Sequence, residues 1–154
     1  MKENNLKVYF VACVSILIAS ISFAGDVEKD LLKSCERIKV GVETGISLDK
    51  YSDLLSDAIT EYNIYIRNIK KDEFDKNKIF IEHIESSLDY FKEAKHDWEE
   101  KIRWKREYLK DKLNQCWECL KIDREGQRDA EKYMQENWAK ALMKLDLAYK
   151  NMPK

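Results

Sequence analysis

Glycine and proline are almost absent from this chain. Only Gly25, Gly41, Gly45, Gly126 and Pro153 occur in 154 residues, and neither type appears between Ile46 and Arg124. A sandwich or barrel needs turn residues about every 8–12 positions, so this scarcity excludes an all-β fold and points to an all-α one. Histidine is also scarce, at His83 and His96. No glycine-rich phosphate loop, no nucleophile elbow and no Asn-x-Ser/Thr acceptor occurs. Ser47, Ser52, Ser56, Ser86 and Ser87 occupy ordinary polar helix positions. These absences favour a protein that is not an enzyme.

What is present begins with a three-part leader. Lys2 and Lys7 form a positive start, Val8 to Ala24 run without a charge, and Ser22 and Ala24 precede Gly25 as a small-x-small cleavage pattern. This layout predicts a signal peptide over 1–24 and a single helical domain over 25–154, exported to the periplasm or the medium. Cys13 falls inside the apolar run and leaves with it. Loss of the leader leaves 26 basic and 28 acidic side chains, a balance that makes no case for nucleic acid. No further span is expected after cleavage.

Apolar residues then recur at helical spacing. Val27, Leu31, Cys35, Ile38 and Val42 form one stripe, and Leu48, Tyr51, Leu55, Ala58, Tyr62, Tyr65 and Ile69 form the next, with Ser47 as its cap. A third segment is expected over about 77–121, preceded by a turn in the charged stretch 70–78. "DREGQ" (123–127) is read as the next break. The last helix carries Met134, Trp138, Ala141, Leu145 and Ala148 on one face. Two arrangements fit. In the leading one, "GVETG" (41–45) only kinks a long first arm, which lies antiparallel to the third segment, with the last helix packed along the hairpin. In the other, the first helix folds back to make an up-down four-helix bundle.

Gly45-Ile46-x-x-x-x-Tyr51-x-x-Leu54-Leu55-x-Asp57-Ala58, "AKHDWEEKIRW" (94–104) and "NWAKALMKLDLA" (137–148) together resemble a group of exported bacterial helical proteins. Leu48 stands where that pattern has an aromatic, and the pattern has no CxxC. The resemblance implies a helical exported chain and carries no activity or site residues.

The CxxC of "QCWECLK" (115–121) invites four chemistries. Haem attachment fails because Leu120 replaces the required histidine. A thioredoxin-like centre needs the pair at a helix N-terminus, whereas the expected third segment would place it at a helix end. Zinc needs four ligands, and His83 and His96 lie far from the cysteines in the kinked hairpin. A structural disulfide from Cys35 to Cys116 or Cys119 is the expected use. It would close a loop of about 80 residues and contribute about 4 kcal/mol in the chain-entropy model. The third thiol is left over, inert or joining a dimer.

Glu93 and His96 form one Glu-x-x-His pair, where a di-iron bundle needs two, so no metal or cofactor is expected. "KIRWKREYLKDK" (101–112) sets Trp104 and Tyr108 among Arg103, Arg106 and other cations. These four are the candidate contacts for an anionic or protein partner, with packing against the last helix as the competing use. Asp97–Lys101 and Glu99–Arg103 are expected as ion pairs along the helix. The leading functional expectation is an exported, non-enzymatic protein that binds a protein or cell-envelope component, with possible self-association. A thiol-redox or metal device at Cys116 and Cys119 is the alternative, and an envelope chaperone a further one.

Overall fold

A computed structural model describes residues 27–153. The expected leader, Cys13 and the cleavage site lie outside them. The described residues form four helices and no strand: α1 over 27–44, α2 over Leu48–Asn68, α3 over Lys71–Leu113 and α4 over Trp117–Lys150. None is long and apolar enough to cross a membrane.

The α1–α2 junction decides between the two arrangements. Gly45 has φ +76°, Ile46 N–H donates to the Gly41 carbonyl (3.2 Å) and Gly45 N–H to that of Val42 (3.4 Å). These paired bonds are a Schellman stop, which satisfies the last free carbonyls of α1. Ser47 then caps α2, accepting from Lys50 N–H. A stop and a start set back to back reverse the chain. Thus α1 turns back along α2, as in the four-helix arrangement, rather than running on through a kink. Its far end comes level with the start of α3, where the Glu28 carboxyl feels Glu73.

The α2–α3 turn is tighter than expected. Ile69 and Lys70 are extended, and α3 begins at Lys71, so "KKDEFDKNK" is mostly helix. Asp72 and Glu73 suit the positive end of the α3 dipole, and the Glu73 carboxylate accepts from Lys70 N–H (3.4 Å).

The core gathers all four helices. Leu31, Cys35 and Ile38 of α1 join Tyr51, Leu55 and Ala58 of α2, Phe80, Ile84 and Phe91 of α3, and Met134, Trp138 and Leu145 of α4. Trp138 Nε1–H donates to Tyr51 Oη (3.2 Å), which donates to the Phe91 carbonyl (2.9 Å). Ser87 Oγ–H donates to the Ala141 carbonyl (2.9 Å). The rings of Tyr51, Trp98 and Trp138 lie 5.6–6.1 Å apart, so the Tyr51 hydroxyl and the Trp138 N–H are paired within an aromatic cluster.

This cluster closes the bundle. The core contains no residue between Trp98 and Met134. Beyond Trp98, α3 continues alongside α4, its neighbour there among the described residues. The fifteen residues from Glu99 to Leu113 project about 22 Å at 1.5 Å per residue. The described residues therefore form a four-helix bundle extended by a two-helix arm.

Candidate functional site

The arm ends where the sequence reading expected unbroken helix. Gln115 has φ 57°, Cys116 N–H donates to the Asp111 carbonyl (3.0 Å) and Gln115 N–H to that of Lys112 (3.3 Å). This is a second Schellman stop, with glutamine in the left-handed position that glycine usually takes. Cys116 is the N-cap of α4, and its side chain makes no capping bond. The CxxC therefore opens a helix; it does not close one.

Cys116 and Cys119 are joined to each other, with Cα atoms 5.4 Å apart. Cys35 is free and buried. The expected staple from Cys35 to the CxxC is thus not formed. The reason is the reversal at Gly45. Cys35 lies close enough to Tyr149 to act on its hydroxyl electrostatically. Tyr149 is 33 residues from Cys116 along α4, about 50 Å. A disulfide spans about 4.4–6.8 Å between Cα atoms. Burial alone pushes the Cys35 thiol up to about 12.

Around the disulfide, apolar side chains face water. Leu113 is 84% exposed and Trp117 78%, with Leu109 and Ile122 also exposed. Residues 101–128 carry nine basic and five acidic side chains, a net of +4, in a chain whose overall balance is −1. Trp117 heads a shallow groove along α4 that includes Lys121, Arg124 and Arg128. One acid behaves differently. Asp123 is 4% exposed, and its Oδ2 has no hydrogen-bond partner. Burial raises its carboxyl above the ordinary value, and the carboxylates of Asp111 and Glu107 on α3 raise it further. Asp123 is one helical turn from Cys119, which places the two on one face of α4.

The other expected contacts serve the arm itself. Trp104 packs on Gly126, where a Cβ would meet its ring at 2.5 Å. Arg124 donates to Tyr108 Oη (2.9 Å) and lies over its ring, and this bond lowers the Tyr108 hydroxyl from its ordinary value. Both aromatics therefore join α3 to α4 while remaining half-buried. Arg103 lies over the Trp104 ring and pairs with Glu100, while Arg106 is exposed. The expected Asp97–Lys101 and Glu99–Arg103 pairs are replaced. Asn137 donates to Asp97 (2.9 Å), Lys101 pairs with Glu131 across the seam, and Glu99 pairs with Lys95 (2.9 Å). Glu93 and His96 are exposed, and among the described residues no three His, Cys, Asp or Glu side chains gather as a metal site.

Sequence reasoning missed Leu113, Trp117 and Asp123. At helical period Leu113 shares a stripe with Leu109 and Leu120, so its exposure is hidden in the sequence, and no residue type marks Gln115 as a stop. The signal for Asp123 was its position four residues after Cys119. No family model, curated protein or solved structure matches the chain.

Proposed function

We propose that the protein is exported and works without catalysis, using the arm tip to bind an acidic protein surface that offers an apolar recess. The supporting observation is the exposure of Leu113 and Trp117 at the end of a stiff two-helix arm. Singly exposed apolar side chains are ordinary, but Leu113, Trp117, Leu109 and Ile122 are all exposed near one end of the arm, and apolar side chains grouped in this way mark protein-binding surfaces. Here the disulfide and the Schellman stop hold them in place before binding, which lowers the ordering cost of association. The surrounding positive charge selects an acidic rim and speeds encounter. The leader read in the sequence and the oxidised cysteine pair both suit a compartment outside the cytoplasm.

The test compares wild type with a Leu113→Ser, Trp117→Ser double variant for capture of envelope and secreted proteins from the producing cell. One protein should bind wild type in a salt-sensitive manner, and the variant should lose about 2 kcal/mol, some thirtyfold in Kd. Equal capture by both proteins removes the proposal, as does binding only to anionic vesicles or to a second copy of the chain.

A further inference from the structure

We infer that the Cys116–Cys119 disulfide is a thiol–disulfide exchange centre for a partner carrying two thiols, with Asp123 handling the proton at Cys119. This adds a stoichiometric covalent step, one disulfide passed to one partner dithiol without turnover, to the recognition proposed above and does not depend on it.

Three observations meet at one place. The disulfide lies at the tip of the arm, beside exposed Trp117 and away from the four-helix core. Cys116 stands at the N-terminus of the 34-residue α4, with no side chain capping the first-turn N–H groups. Those groups and the helix dipole favour a thiolate at that position. Independently, Asp123 is buried one turn beyond Cys119 with an oxygen that no donor satisfies. A buried carboxylate without a partner is costly, so Asp123 binds a proton more readily than an exposed aspartate does. The charged groups that act on it from α3 are Asp111 and Glu107, in the same sense as burial, and the disulfide-bonded Cys119 stands one turn before it on α4.

The step runs as follows. A partner thiolate attacks Cys116 Sγ, and a bond forms between the two sulfurs. The Cys116–Cys119 bond breaks, its electron pair leaves on Cys119 Sγ, and the Asp123 carboxyl supplies the proton. The second partner thiolate attacks the partner's own sulfur in the mixed disulfide and expels Cys116 as a thiolate at the α4 N-terminus. The partner loses two electrons and two protons and gains a disulfide. Cys116 and Cys119 gain the same two electrons; Cys119 takes the Asp123 proton, Cys116 takes one from water, and the two protons shed by the partner thiols go to water, from which Asp123 is reprotonated.

The experiment uses the oxidised whole protein. Dithiothreitol reduces it across pH 5–8, beside an oxidised peptide of residues 114–121 and an Asp123→Asn variant. The whole protein should react about tenfold faster than the peptide at pH 6, and the variant should lose that advantage at low pH. A rate no greater than the peptide's, or an unchanged pH profile in a folded variant, overturns the inference. A second measurement needs no variant. Glutathione is added to the oxidised protein and the reaction is stopped with iodoacetamide. Glutathione should be found on Cys116 and the alkyl group on Cys119, and the reverse placement overturns the assignment. Because neither probe needs an apolar recess, failure here leaves the binding test unaffected, and failure of capture leaves this one standing.

Discussion

A Cβ on Gly126 would stand 2.5 Å from Cδ2 and 2.6 Å from Cε2 of Trp104. The glycine inside α4 thus serves as a seat for the aromatic that joins the two helices of the arm. Exposed glycine in a helix interior normally costs about 1 kcal/mol against alanine, so Gly→Ala ordinarily stabilises. Here the sign reverses. Gly126→Ala should destabilise by about 1–3 kcal/mol through overpacking, and Trp104→Ala in the same chain should relieve most of that loss. A double-mutant cycle by thermal melting checks this. A higher Tm for Gly126→Ala alone would contradict the contact.

Tyr51 ties three helices through one hydroxyl, accepting from Trp138 and donating to the Phe91 carbonyl. Tyr51→Phe keeps the ring and leaves the Trp138 N–H buried without that acceptor. The expected loss is about 1–3 kcal/mol in chemical denaturation, with the helical content of the folded state unchanged. A loss within error of zero would show that water replaces the hydroxyl.

Cys35 should behave as a small apolar core residue. Its thiol is buried and held up to about 12, so the thiolate is scarce at neutral pH. In the native, unreduced protein, Cys35 should resist alkylation and become labelled on unfolding. Cys35→Ala should cost about 1 kcal/mol, equally with and without reductant, because no bridge is lost. A cost that disappears under reductant would restore the bridge to the CxxC.

Asp123 makes stability depend on pH in a defined direction. Its folded-state carboxyl is raised, so the native state holds the proton more tightly than the unfolded chain. The favourable contribution is complete below the ordinary aspartate value of 3.8 and is lost as pH rises through the folded value. Wild type should therefore lose Tm over that interval relative to Asp123→Asn, and the variant should be the more stable protein at pH 7. Paired melts at pH 4 and pH 7 check the sign, and a larger advantage for the variant at pH 4 would refute it.

Helix content and core faces were legible because periodicity is a local property. Tyr51, Leu55, Ala58 and Tyr65 on α2, and Met134, Trp138, Ala141, Leu145 and Ala148 on α4, are buried as their spacing predicts. Chain reversals were less legible. At Gly45 the stop is written in glycine, but a stop and a kink look alike until Ile46 is seen bonding back to Gly41. At Gln115 the left-handed residue carries no glycine, so the arm's end was hidden, while Gly126 invited a break where α4 runs on.

By itself, then, the sequence determined an all-helical chain, its buried stripes, and a cysteine pair in a basic, aromatic-bearing stretch. Those features depend on residue type and on spacing within one or two turns. Only the tertiary structure decided that Cys35 lies far from the CxxC, that Trp104 and Tyr108 are spent on the α3–α4 seam, and that Leu113, Trp117 and Asp123 share the arm's free end. Each of these depends on where the chain reverses, and a reversal moved by a few residues re-pairs every side chain beyond it.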